Sequence, residues 1–275
     1  MRTSEWIQIG FAVVLAAASW IQPLPARRRL VTTALAFIAI IAILAARASA
    51  SFLSPAYVAT LRDWLTAALM LVPYWQTGQF FSGPNEKIQA RLMELDQRWF
   101  PHIASASGTS RGFIALSLEI AYLFCYPLVP CGLAVLYVAG LRQDVSIFWW
   151  VVLISTYLCY AITPFVRALP PRSIGKAASV PPSANSGRAV NRWVLQHGSI
   201  HAISFPSAHV ASALSVALVL LWFTPIAGVV FLVIAIWISV AAVVGRYHYA
   251  LDVFLGAATA LIVFILSYAF MHGRL

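Results

Sequence analysis

Eight apolar runs divide this chain, and each is about as long as a helix needs to cross a membrane. Hydrophobic residues make up 61% of the 275 positions and charged residues only 9%, which is too little polar surface to enclose a soluble core. We therefore predict an all-α integral membrane protein, a polytopic helical bundle. The runs lie at residues 5–21, 30–46, 57–74, 112–139, 146–163, 206–223, 226–244 and 250–271.

The runs fall into two groups. Residues 1–56 hold two of them and predict two N-terminal transmembrane helices, while residues 57–275 hold six and predict a six-helix core. In the fourth run, Pro127 and Pro130 remove backbone donors and predict a kink within the membrane. We expect the protein in a bacterial cytoplasmic membrane.

The connection between the third and fourth runs predicts an amphipathic helix over residues 86–100. Ile88, Leu92, Leu95 and Trp99 follow one another at spacings of four, three and four, with charged residues between them. A helix of this kind lies at the lipid interface. A lid over a site in the membrane is the alternative.

The net charge of +10 suits anionic lipids or phosphate, and the same Lys and Arg residues also mark cytoplasmic loops. Both interpretations apply. Binding of nucleic acid is excluded, because it needs a basic soluble face and no segment outside the apolar runs is large enough to provide one.

The sixth run begins with Phe-Pro-Ser-Ala-His at residues 205–209. Pro206 suits the first turn of a helix, so the backbone amides of Ser207, Ala208 and His209 are predicted to be free at a positive helix end, where an anion binds. The alternative is an ordinary helix start with a hydrogen-bonded core histidine.

A second polar group precedes and enters the eighth run. His248 and Asp252 are four residues apart, so they share one face of a helix that begins near Tyr249. The carboxylate would accept a hydrogen bond from one imidazole nitrogen and leave the other nitrogen free to attack. Arg246 adds a cation; a structural hydrogen bond is the alternative.

The loop after the fifth run contributes two further cations. Arg167 and Arg172 flank a rigid Leu-Pro-Pro corner, which would aim bidentate donors at phosphoryl oxygens. The alternative is that they only mark the cytoplasmic side. Counted by the parity of the runs, this loop and the starts of the sixth and eighth runs emerge on one membrane face.

These motifs resemble those of a known family. Residues 205–209, followed by Gly-Arg-Tyr-His-Tyr-Ala-Leu-Asp at 245–252, resemble the second and third signatures of the type 2 phosphatidic acid phosphatase (PAP2) superfamily. The resemblance covers the six-helix core. Within it, the chain is most similar to the branch with inositol phosphotransferases that make inositol phosphorylceramide; the segments concerned are 62–64, 95–96, 126–130 and 170–172.

The resemblance implies a role for each residue. His248 would be the nucleophile that forms a phosphohistidine, Asp252 would orient it, and His209 would be the general acid that protonates the leaving oxygen. Those three residues would be the catalytic ones. Arg172, Ser207 and the amide of Ala208 would bind the phosphate and stabilise the pentavalent transition state. The resemblance implies no metal and no cofactor.

Two positions depart from the superfamily's pattern. The first motif has Lys seven residues before its Arg, where this chain has Phe165, and the third has Arg six residues before its His, where this chain has Ala242. Arg167 and Arg246 are the candidate replacements, which would bind phosphate.

The predicted function is cleavage of a phosphate ester of a lipid or polyprenyl carrier. Water or a lipid hydroxyl would accept the phosphoryl or inositol-phosphate-type head group, and the residues do not decide between hydrolase and phosphotransferase. The alternative from another class is a transporter or a non-catalytic lipid-binding protein that uses the buried His, Asp and Arg cluster.

The side of the membrane stays open. The cluster Arg27 to Arg29 and most loop cations fall on the same face as the three motifs, which places the site in the cytoplasm. The family resemblance implies a site that faces outward, toward periplasm or lumen.

Overall fold

A computed structural model of the chain describes residues 1–102, 113–174, 186–200 and 202–273, and these residues are helical with no strand. The predicted all-α helical bundle is confirmed. The helices are α1 (Thr3–Ile21), α2 (Ala26–Ala48), α3 (Pro55–Leu69), α4 (Leu71–Gly78), α5 (Glu86–Trp99), α6 (Phe113–Leu123), α7 (Leu128–Val138), α8 (Val145–Ile162), α9 (Ser186–Gly198), α10 (Ala208–Phe223), α11 (Pro225–Val244) and α12 (Ala250–Met271).

Five of these helices, namely α1, α2, α8, α11 and α12, are long and apolar enough to cross a membrane. A sixth candidate is the pair α6 and α7, bent by 68° at a break that contains Pro127, where a kink was predicted. Two of the eight predicted runs differ in length from the prediction: α10 has 16 residues, and the third run divides into α3 and α4. The division into two N-terminal helices and a six-helix core stays a prediction. The start of the fourth run, residue 112, lies outside the described residues.

Helix α10 lies at the centre of the bundle, in contact with α7, α8, α11 and α12. It is apolar on every face, as a helix surrounded by protein must be, and Val210, Val216 and Leu220 are fully buried. The outward faces of α11 and α12 expose large apolar side chains such as Val233 and Phe254. Such faces suit contact with lipid.

Ion pairs fasten the start of α1 to α3 at the end of the bundle where α8 begins. The Arg62 guanidinium lies 2.6 Å from the Glu5 carboxylate, and Arg2 pairs with Asp63. Asp63 also accepts a hydrogen bond of 2.7 Å from the hydroxyl of Tyr137. Helix α8 has 18 residues and is therefore about 27 Å long.

Part of the connection over residues 164–205, which was predicted to be an extramembrane loop, forms a helix. Helix α9 packs against α6, and its Asn191 is buried. Residues 175–185 and 201 of the same connection lie outside the described residues.

Candidate active site

The third motif forms the buried pair that was predicted. Tyr249 is the N-cap of α12, so Asp252 lies in its first turn and His248 just before it. The His248 Nδ1 is 3.1 Å from the Asp252 Oδ2, and the two residues are 3% and 0% exposed. An ionised carboxylate only accepts hydrogen bonds, so Nδ1 carries the proton and Nε2 presents its lone pair.

The second motif brings His209 to that lone pair. The His209 Nδ1 lies 3.3 Å from the His248 Nε2. The rings meet nearly edge to face, with centroids 5.6 Å apart. Asp252, His248 and His209 therefore form one chain of contacts, and a phosphoryl group would have to enter between the two facing nitrogens.

The start of α10 differs from the prediction in its hydrogen bonds. The helix begins at Ala208 with Ser207 as N-cap, so Pro206 precedes the first turn. The amides were expected to be free, but that of Ser207 donates to the Asp252 carbonyl at 3.0 Å and that of Ala208 to the Ser204 Oγ at 3.3 Å. The chain thus satisfies these amides itself, as buried donors require.

Glycine at position 256 allows the close approach of α12 to this helix start. A Cβ atom on Gly256 would lie 2.4 Å from the carbonyl oxygen of Ser207. Because backbone atoms fill that space, any larger residue would push the second motif away from the third.

Arg172 is the predicted arginine that the structure places beside the histidine pair. It lies on the short 3-10 turn Pro171–Ser173, and its amide donates to the Arg246 carbonyl at 3.0 Å. Its guanidinium carbon is 4.5 Å from the centre of the ring of Tyr247, the residue before His248. The first motif thereby supplies a cation to the site.

The other two predicted arginines make contacts elsewhere. Arg167 donates to the Ser82 Oγ at 2.6 Å, just before α5. Arg246 has a left-handed backbone with φ of 58°, and it lines a small cavity of about 30 Å³ together with Asp96 and Tyr249. Their phosphate-binding roles stay predictions. The contacts described for these two arginines are with residues other than the two histidines.

Helix α5, predicted at the lipid interface or as a lid, connects the first and third motifs. Gln89 accepts a 2.8 Å hydrogen bond from the amide of Leu169 and donates to the Tyr249 hydroxyl, which itself donates to the Leu169 carbonyl at 3.1 Å. Two α5 turns further, the Asp96 Oδ1 accepts a 2.9 Å hydrogen bond from the Ala250 amide. The signal in the sequence was the spacing of Gln89 and Asp96, since residues seven apart share a helix face.

Burial raises the pKa of Asp96 from its ordinary value of 3.8 to about 6. The hydrogen bond from Ala250 and the positive charge of Arg246 act in the opposite direction, whereas the carboxylate of Asp252 adds to the rise. Asp96 therefore titrates near neutral pH beside the helix that carries the histidine and aspartate pair.

Three tyrosines that the sequence did not single out surround His209. The centres of the Tyr74, Tyr122 and Tyr126 rings lie 6.4, 6.0 and 5.9 Å from that of the imidazole. Each meets the imidazole edge to face. These rings limit the space in which His209 can turn and give the site an apolar wall.

A buried carboxylate, Glu119, was also missed. It lies in α6, 6% exposed, where its carboxylate accepts a 2.6 Å hydrogen bond from Asn191 and one from the Tyr247 hydroxyl. The sequence does indicate this residue, because a carboxylate inside an apolar run needs a hydrogen-bonding or charged partner.

The two departures from the superfamily's pattern lie in different surroundings. Phe165 is 70% exposed, while Ala242 is fully buried, and its carbonyl accepts hydrogen bonds from the amides of Tyr247 and His248 at 2.9 and 3.0 Å. No cluster of three or more His, Cys, Asp or Glu suited to a metal occurs within the described part of the chain.

Comparison with known proteins gives one match. The family model described as PAP2 superfamily matches residues 90–266. This range contains the three motifs, Glu119 and α5 from residue 90 onward. No curated protein and no solved structure matches the chain.

Proposed function

The chain belongs to the PAP2 superfamily and is a phosphatase-type enzyme of the membrane, and from this premise we propose that it cleaves lipid or polyprenyl phosphate esters through a phosphohistidine on His248. The observation that carries the proposal is the chain of contacts from Asp252 through His248 to His209, with distances of 3.1 and 3.3 Å. In this chain Asp252 orients His248 as the nucleophile, and His209 on the other side of His248 is the proton donor.

In the first step the His248 Nε2 attacks phosphorus, and the bond from phosphorus to the leaving oxygen breaks. His209, protonated on Nδ1, gives its proton to that oxygen. The positive charge that develops on His248 is stabilised by Asp252, which holds the Nδ1 proton in place. Arg172 and the Ser207 hydroxyl are the groups we propose to stabilise the negative charge on the other phosphoryl oxygens.

In the second step His209, now neutral, takes a proton from the acceptor. The acceptor oxygen attacks the phosphohistidine, and the bond from phosphorus to nitrogen breaks, which regenerates His248. Water as acceptor makes the enzyme a hydrolase, and a lipid hydroxyl makes it a head-group transferase. The motifs shared with inositol phosphotransferases favour transfer of an inositol-phosphate-type head group, and we propose a bacterial cytoplasmic membrane as its location.

A panel of lipid phosphates and phosphodiesters in detergent tests this proposal. We would follow phosphate release and head-group transfer, with and without a lipid alcohol, for wild type, His248→Ala and the control His197→Ala, whose side chain is exposed on α9. We expect turnover in wild type and control and none in His248→Ala, and the product distinguishes hydrolase from transferase. Equal turnover in all three would overturn the assigned nucleophile, and a lipid-binding or transport function that survives His248→Ala would favour the non-catalytic alternative.

A further inference from the structure

The guanidinium of Arg172 lies over the ring of Tyr247, which is itself stacked on Tyr122. The rings of Tyr122 and Tyr247 lie 3.8 Å apart at an interplanar angle of 7°, and the Arg172 guanidinium carbon lies 4.5 Å from the centre of the Tyr247 ring. A ring stacked at 3.8 Å fills one face of Tyr247. The guanidinium must therefore occupy the other face.

The middle ring is held at its edges as well as on its faces. Its hydroxyl donates to the buried Glu119 carboxylate. A Cβ atom on Gly245 would lie 2.5 Å from the ring, so the glycine gives the ring room against the backbone. Fully buried Ala242 packs in the same apolar cluster as Tyr122 and Tyr247. The Tyr247 ring therefore has little freedom to tilt or rotate.

This arrangement determines where the cation points. The backbone of Arg172 is fixed by its hydrogen bond to Arg246, but its long side chain would otherwise sample many rotamers. A guanidinium over a tyrosine ring is attracted by the negative face of that ring, most strongly where water is excluded. The hydrogen bond to Glu119 shifts electron density toward the ring and strengthens that attraction.

We propose that Tyr247 is a positioning residue that acts through Arg172, holding its guanidinium flat over the ring so that its N–H groups face the phosphoryl oxygens during transfer. The inference deepens the proposed function and rests on it. Arg172 is the group that touches the substrate, and Tyr247, backed by Tyr122 and Glu119, sets its orientation.

The test compares Tyr247→Phe, which keeps the ring, with Tyr247→Leu, which removes it, in wild type and in Arg172→Ala. We expect Tyr247→Leu to lower kcat/KM by about 10-fold to 30-fold, and Tyr247→Phe by less than about threefold. In the Arg172→Ala background, Tyr247→Leu should have no further effect, because the residue through which it acts is gone. Inhibition by orthovanadate, which mimics pentavalent phosphorus, should weaken in parallel with kcat/KM.

Tyr137 provides a matched control at the far end of the bundle. Its hydroxyl also donates to a carboxylate, that of Asp63, and the Arg142 guanidinium carbon lies 5.1 Å from its ring centre. Tyr137→Leu should cost stability in detergent and leave kcat/KM and vanadate inhibition unchanged.

Provided that His248→Ala is inactive, three results would overturn the inference. They are a kcat/KM of Tyr247→Leu equal to that of wild type, equal losses of kcat/KM in Tyr247→Leu and Tyr247→Phe, or losses that add when Tyr247→Leu is combined with Arg172→Ala. Activity retained in His248→Ala would instead count against the proposed function. The two failures are thus distinguishable.

Discussion

The carboxylate of Asp96 caps the helix that carries Asp252, through a 2.9 Å hydrogen bond from the amide of Ala250 across 154 residues of sequence. The local N-cap residue, Tyr249, makes no side-chain cap. This hydrogen bond and the helix N-terminus favour the ionised form of Asp96, but the cost of burying its charge is larger. Helix α5 thus supplies a group that α12 does not supply for itself, and it holds the start of α12 in place.

The raised pKa of Asp96 predicts a pH-dependent stability. The folded protein holds this proton more tightly than the unfolded chain, since the pKa rises from 3.8 to about 6. The contribution of Asp96 to the free energy of unfolding is therefore largest below about pH 4, and it is lost as the pH rises through about 6. Because solvent reaches part of the carboxyl group, we expect a loss on the order of 1 kcal/mol.

Asp96→Asn isolates this effect, because the amide oxygen still accepts from Ala250 and does not titrate. The melting temperature of wild type minus that of Asp96→Asn, measured in detergent from about pH 4 to about pH 7, should fall as the pH rises. Asp144→Asn, at the far end of the bundle, is the control. A difference that stays flat or rises over this range would contradict the assigned burial of Asp96.

The contact between Gly256 and Ser207 predicts a steric effect on stability and activity. Gly256→Ala places a methyl group against the Ser207 carbonyl and should cost about 1–3 kcal/mol of unfolding free energy, with lower kcat. Gly10→Ala, where a Cβ meets nothing within 4 Å, should be neutral or stabilising. Thermal melts and initial rates of both variants check this, and a harmless Gly256→Ala would mean that the two helices are not in such close contact.

The hydrogen bond between Asp252 and His248 predicts a large effect on chemistry. Asp252→Asn keeps the shape of the side chain but can no longer stabilise a positively charged imidazole, so kcat should fall by about 10²-fold to 10⁴-fold. The KM should change little, because no substrate contact is lost. Full activity in Asp252→Asn would assign the pair a structural role only.

The local parts of this architecture follow from the sequence. The spacing of His248 and Asp252 on one helix face, the amphipathic helix α5 and the break at Pro127 each depend on neighbours within a few turns. Secondary structure decides such relationships, so pattern alone predicts them.

The remaining relationships depend on packing between distant segments. Nothing in the neighbourhood of Asp96 indicates Ala250 as its partner, and nothing near Glu119 indicates Asn191. The directions of Arg167 and Arg246 likewise follow from a serine before α5 and from a left-handed backbone. Sequence patterns identify residues with a role in chemistry, but the positions of their side chains are set by the fold.

Rapid quenching of the purified enzyme with a substrate labelled in its phosphoryl group tests the central claim most directly. The account predicts a protein-bound label on His248 that is stable in alkali and lost in acid, as expected for a phosphorus to nitrogen bond. It should be present in wild type, increased in His209→Ala when the leaving group needs no proton, and absent in His248→Ala. An equal amount of label in His248→Ala, or turnover by wild type with no labelled protein at any time, would contradict it.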